Sequence, residues 1–284
     1  MALTDPMGDL PAAATPRGGR NLPVAVGVGL VLSVMFVGSL LVHPLLFLTF
    51  ISVVVGIGLL ELDAAFAISK ARPPTVTALV ALPVMVYGAY LVGSEAIVAG
   101  LFAGLVGGFF VTMISSRRRH TVSRMAALSL MLLWVNLMAS SLGLLLARPD
   151  GVWLVMAATA LTVTSDVGAY AFGRNFGRTP MAPAISPNKT WEGFAGAMLS
   201  TVIMAVLVTA QVVPGVSLAA ALTLAASVVV AATTGDLAES LMKRDLAVKD
   251  LGRILPGHGG VMDRIDALLF ALPTAHFVLS AFGI

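Results

Sequence analysis

Cysteine is absent from the 284 residues. That excludes a disulfide framework, a thiolate metal site and a cysteine nucleophile. Charge is scarce: Asp, Glu, Lys and Arg make up 11% of the chain, against about 25% in ordinary soluble domains. Histidine occurs four times, with no His-x-x-x-His pair. A serine nucleophile elbow and a Walker-type phosphate loop are missing too, and no internal repeat or extramembrane domain is evident. What remains is apolar. Hydrophobic residues make up 58% of the chain, and the mean hydropathy is +0.98. A soluble fold of this size has too little interior to hide that surface, so the chain reads as an integral membrane protein. The net charge of +3 matters less than where the charges fall, and nucleic acid is not an expected partner.

Residues 1–21, rich in Pro, Gly and Ala, are expected to form a disordered cytoplasmic tail. A cleaved signal peptide fits less well, because a full-length apolar segment follows. A helix needs about 20 apolar residues to cross a hydrocarbon core of about 30 Å. Nine runs qualify, near 22–42, 45–67, 76–92, 96–114, 125–147, 152–173, 192–213, 217–240 and 265–283. The expected fold is therefore all-α with about nine transmembrane helices. His43-Pro44 and Pro214 to Ser217 mark tight turns. All the Lys and Arg residues except Arg148 lie in the tail or in the loops after spans 2, 4, 6 and 8. By the positive-inside rule the N-terminus is cytoplasmic and the C-terminus external. Orientation thus accounts for the basic run Ser115 to His120. Gly100, Gly104 and Gly108 recur at helical spacing, which points to close helix packing in a bilayer.

Acids inside spans are costly and point to function. Glu61 and Asp63 end the second run and are expected at the interface. Asp166 lies deeper, with Ser165 and two threonines beside it. Asp236 and Glu239 share one helix face at i, i+3, and Asp263 and Asp266 repeat that spacing at the start of the last span. Helix N-terminal capping explains one acid of the second pair but not two pairs flanking one loop. Convergent carboxylates without cysteine suggest a hard cation, Mg²⁺, held through carboxylates and substrate phosphates.

The intervening loop carries Lys243, Arg244, Lys249 and Arg253, with Arg264 just beyond, as phosphate-suited cations. Pro256 to Gly260 (PGHGG) offers flexible backbone whose N–H groups can approach a phosphate. Three of the four lysines, Lys189, Lys243 and Lys249, sit in the last two cytoplasmic loops. The segment Ile185 to Gly193 contains Ser186, Asn188, Lys189 and Thr190. It reads as an ordered polar loop entering span 7 with Trp191 at the interface, and its glycosylation sequon is discounted by topology. Of the histidines, only His258 sits among other site candidates.

Ser240, Lys243-Arg244, Lys249-Asp250, Gly252, Leu255-Pro256, His258-Gly259-Gly260 and Asp263-Arg264 through Asp266 resemble the C-terminal signature of the phosphatidate cytidylyltransferases, or CDP-diacylglycerol synthases. The segments SPNKTWEG and SDVGAYAFG also look like features of that family. The close resemblance covers roughly the last 120 residues. It implies transfer of a cytidylyl group from CTP to phosphatidic acid, giving CDP-diacylglycerol and pyrophosphate. It implies a metal centre at Asp236 and Asp263, extended here to Asp266, with Mg²⁺ and a second cation such as K⁺. A polar cavity open to the cytoplasm, a homodimer and contact with membrane lipids are implied too. On that reading Asp236, Asp263, Lys243, Lys249 and Arg264 are catalytic. Asp166, Ser186, Asn188, Lys189, Thr190, Ser240, Arg244, His258, Gly259 and Gly260 bind substrate.

The chain then divides into the tail 1–21, N-terminal helices 22–150 with about five spans, and a catalytic membrane region 151–284 with its signature at 240–266. The expected location is a bacterial plasma membrane, with the site on the cytoplasmic side. Two rival readings stand beside it: a CTP-dependent polyprenol or lipid kinase, which would release CDP, and a transporter of a phosphorylated solute.

Overall fold

A computed structural model describes residues 22–69, 71–115, 119–252, 254–255 and 259–284. The tail, Lys70, Arg117, Arg118, Arg253, Pro256, Gly257 and His258 lie outside the described residues, and with them the role expected of His258. The described residues form nine helices and one hairpin. The helices are α1 (Leu22–Val42), α2 (Pro44–Ile68), α3 (Thr75–Leu91), α4 (Ser94–Ile114), α5 (Thr121–Leu146), α6 (Gly151–Phe176), α7 (Trp191–Val212), α8 (Leu218–Asp245) and α9 (Met262–Ala281). Seven of them are long and apolar enough to cross a membrane, whereas α3 and the Val26–Val42 part of α1 are shorter apolar helices. The all-α expectation omitted the hairpin, in which β1 (Pro180–Ala182) pairs antiparallel with β2 (Ser186–Thr190).

Helix starts follow local chemistry. His43 accepts from the Leu45 amide through Nδ1, with Pro44 at the first helical position. Thr190 caps α7 through Gly193, and Ser217 caps α8 through Ala220. Apolar runs mark these helices but understate the last two. α8 continues to Asp245 and α9 begins at Met262, because both extend past their apolar stretch as polar, ion-paired turns. Hydropathy measures how much of a helix suits hydrocarbon, not where its backbone hydrogen bonds stop.

Packing joins α6 to α7, α8 to α9, and α3 to α4. α4 shows how the outer face is made. Gly100, Gly104 and Gly108 are buried, and a Cβ on Gly108 would fall 2.1 Å from Leu128 Cδ2 of α5. The expected packing role of this stripe is what the structure shows. On the other face Phe102 and Phe110 are exposed, as are Val34 of α1, Leu207 of α7 and Phe277 of α9. An exterior with so many exposed large apolar side chains suits lipid rather than water.

Glu61 and Asp63, expected at the interface, are buried within the protein, at 4% and 9% exposure. Asp63 accepts from Thr75 Oγ1 at 2.7 Å and from Arg72 Nε at 3.1 Å, which ties the end of α2 to the start of α3. Glu61 turns instead toward the loop before α9 and accepts from the Met262 amide. A buried carboxylate must find donors, and here it finds backbone or side-chain partners far along the chain. At the other end of α9, Arg148 donates to His276 Nδ1 at 3.2 Å, to Ser280 Oγ and to the Ile284 carbonyl.

Candidate active site

The two i, i+3 acid pairs face each other. α8 and α9 run antiparallel after a loop, so Asp236 and Glu239 on one helix oppose Asp266 and Asp263 on the other. Gly235 makes the approach possible, since a Cβ there would sit 2.6 Å from the Asp266 carbonyl oxygen. Asp266, 6% exposed, lies against both Asp236 and Glu239. Lys243, one turn beyond Glu239, bridges Glu239 Oε2 at 2.6 Å and Asp263 Oδ1 at 2.9 Å. The second oxygen of Asp263 accepts from the Gly260 amide at 3.0 Å.

The hairpin closes the other side. Lys189 in β2 pairs with Asp236 at 2.5 Å. Glu192, at the start of α7, accepts from the amides of Arg178 and Thr179 and from Thr179 Oγ1. Arg244, at the end of α8, donates to the Ile185 carbonyl at 3.1 Å. The hairpin is thus held from two helices, and Lys189 is placed over the acids. Together the hairpin, α6, α7, α8 and α9 enclose a cavity of about 430 Å³.

Asp166, Ser186, Asn188, Lys189, Thr190, Asp236, Asp263, Arg264 and Asp266 all line this cavity. Asp166 looks across it at Asp236 and Lys189. Other expected residues stand outside its wall. Lys243 and Gly260 act on it through Asp263, Arg244 through the hairpin, and Ser240 is half-buried farther along α8. Gly259, with φ of 83°, accepts from the Leu255 amide, and Lys249 is exposed beyond α8. Tyr170, Phe194 and Thr233 also line the cavity without having been picked out from sequence. Tyr170 lies four residues after Asp166 and Thr233 three before Asp236, so helical period was a usable signal for both. Phe194 carried none.

With each group in its usual ionic form, five carboxylates (Asp166, Asp236, Glu239, Asp263, Asp266) meet three cations (Lys189, Lys243, Arg264). The excess is two negative charges. Glu239 Oε1 is buried and receives no hydrogen bond. Hard oxygen donors in excess of local cations fit a divalent cation such as Mg²⁺. Among the described residues no three acidic or histidine groups gather tightly enough to hold a metal by themselves.

Residues 24–282 match the model of the cytidylyltransferase family. The chain belongs to that family. It is similar to the phosphatidate cytidylyltransferase of Mycobacterium leprae (strain TN), at 36% identity over 90% of this chain and 86% of the relative. The Mycobacterium bovis protein of the same name is 33% identical over 95% of this chain and 92% of its own length. A third, from Staphylococcus haemolyticus, is 39% identical over 46% of this chain and 51% of its own length. For a cytidylyltransferase the wall of the cavity makes chemical sense. Lys189 stands on its hairpin side, and Asp236, Asp263, Arg264 and Asp266 stand on its α8–α9 side.

Proposed function

We infer that the protein transfers the cytidylyl group of CTP to phosphatidic acid, giving CDP-diacylglycerol and pyrophosphate in phospholipid synthesis. The observation that carries this reading is the pairing of the α8 and α9 acids beneath Lys189, in a cavity at one end of apolar helices. A phosphate oxygen of the lipid attacks the α-phosphorus of CTP. The new P–O bond forms as the bond from that phosphorus to the bridging oxygen breaks, and pyrophosphate leaves with the electron pair. Both reactants are anions, so the main demands on the protein are alignment and relief of repulsion. Lys189 and Arg264 face the cavity and supply positive charge to the phosphates. Lys243 holds Asp263 in place.

Asp236, Asp263 and Asp266 line the cavity and would hold Mg²⁺, which would supply positive charge to offset that of the phosphates. A second cation such as K⁺ belongs to the same proposal. On this proposal all nine helices cross the plasma membrane, the N-terminus and the cavity face the cytoplasm, the C-terminus is external, and two copies form a homodimer. A cytoplasmic cavity gives CTP access from water while phosphatidic acid enters from the lipid.

The test is product analysis on purified protein with α-labelled CTP, phosphatidic acid and Mg²⁺. The expected products are labelled CDP-diacylglycerol and unlabelled pyrophosphate. Asp263→Asn is expected to abolish them without unfolding the protein. Release of labelled CDP with a phosphorylated lipid would replace the reading with a kinase, and full activity in Asp263→Asn would remove the metal assignment.

A further inference from the structure

One buried carboxylate is left over by the chemistry above. Glu61 belongs to α2, in the N-terminal half, yet its partners are in the loop leading to α9. Its Oε2 accepts from the Met262 amide at 3.0 Å, and the amides of Val261 and Ile254 also face it. The loop is shaped to receive it. A Cβ on Gly252 would lie 2.0 Å from Glu61 Cδ and Oε1, and one on Gly260 would lie 2.7 Å from Glu61 Oε2. Real Cβ atoms do not come so close, so both positions must be glycine while the carboxylate is there. α2 is shaped in return: a Cβ on Gly58, one turn before Glu61, would fall 2.8 Å from Met262 Sδ.

Cost separates this contact from ordinary packing. Glu61 is 4% exposed, forms no ion pair among the described residues, and keeps Oε1 without a hydrogen bond. An apolar side chain would fill the same space without that penalty. What a carboxylate adds is direction, since it fixes backbone N–H groups in space. The residue after the bonded amide is Asp263, whose two oxygens are set by Lys243 and the Gly260 amide.

We propose that Glu61 is a positioning residue for the transfer. It pins Gly252, Ile254 and residues 260–262 so that Asp263 faces the cavity at a fixed angle. This rests on the cytidylyl-transfer reading, and the arms of the test separate the two. Full-length protein in lipid nanodiscs carries Glu61→Gln, Glu61→Asp, Gly252→Ala, or Glu61→Ala with Gly252→Ala. Four quantities are measured: kcat, KM for CTP, the Mg²⁺ concentration for half-maximal rate, and amide exchange of the 252–262 segment without substrates.

Glu61→Gln keeps the fold but lowers kcat by about 10²-fold, the cost of roughly 1 Å of misplacement. It raises the Mg²⁺ requirement, leaves KM for CTP within about threefold, and speeds exchange in the loop. Glu61→Asp recovers part of the rate. Parent-like kcat and Mg²⁺ dependence in Glu61→Gln overturn the proposal, as does a rate loss that only tracks the fraction unfolded. Should Glu61→Gln fail to fold, the glycine pair decides. Gly252→Ala alone inactivates, and removing the Glu61 side chain alongside it restores part of the activity. A double variant no better than Gly252→Ala refutes the fit. Parent protein that forms no CDP-diacylglycerol would remove the transfer reading instead, leaving the exchange result to judge the loop contact.

Discussion

Lys243→Met removes the cation that, among the described residues, pairs with both Glu239 and Asp263. Those side chains are 3% and 6% exposed, and Lys243 itself 17%. At an effective dielectric of about 20, unit charges 2.6 and 2.9 Å apart attract by roughly 6 kcal/mol each. Most of that gross attraction offsets desolvation of the three groups. The net loss on removing one partner of such a buried set is about 3–5 kcal/mol, because two carboxylates are stranded without a cation. The variant should therefore unfold at a clearly lower temperature in detergent, followed by intrinsic fluorescence, and should lose most CDP-diacylglycerol formation.

A second substitution sharpens the test. Adding Glu239→Gln removes one stranded charge and should recover part of the stability. It should not recover activity, because Asp263 still lacks its Lys243 anchor. Coupling between contacting sites of this kind commonly reaches about 0.5–3 kcal/mol. Lys243→Met as stable as the parent, or a double variant less stable than the single one, would refute the electrostatic account of this site.

Three further outcomes are expected. Gly108→Val should destabilise the protein by about 1–3 kcal/mol through overpacking against Leu128, and Leu128→Ala in the same chain should relieve part of it, as read by thermal denaturation. Arg148→Ala should cost about 1–3 kcal/mol by releasing His276, Ser280 and Ile284, with turnover of CTP unchanged, since these contacts lie at the end of α9 away from the cavity. The cysteine-free chain is a ready background for topology: Arg178→Cys and Asp150→Cys should react with an impermeant maleimide from opposite sides of sealed vesicles, and labelling from one side only would break the proposed orientation.

Much of the site was legible because helical spacing is a local property. Asp236 with Glu239, and Asp263 with Asp266, stand out as facing pairs in sequence alone, and all four meet in the structure. The polar segment with Asn188 and Lys189 was also legible as ordered, though not as a hairpin, because strand pairing of three and five residues leaves no periodic trace. The partner of Glu61 was hidden for a related reason. Near the end of an apolar run an acid gives no sign of what it will meet, and Met262 lies 201 positions away. Gly260 was expected to offer its N–H to a phosphate, yet in the structure that N–H holds Asp263.

Composition and period, then, sufficed for a chain of apolar helices, for their placement and for picking out acids that come together at the cavity. Both are read along the chain, since burial in lipid and the 3.6-residue turn act on neighbours in sequence. Which acid meets which cation was decided only by tertiary packing. Lys189 reaches Asp236 because Glu192 and Arg244 hold a hairpin in place, and Asp263 is aimed by Lys243 and Gly260. Such contacts depend on the distance between helices and on glycines that let them approach, quantities that exist only once the chain has folded.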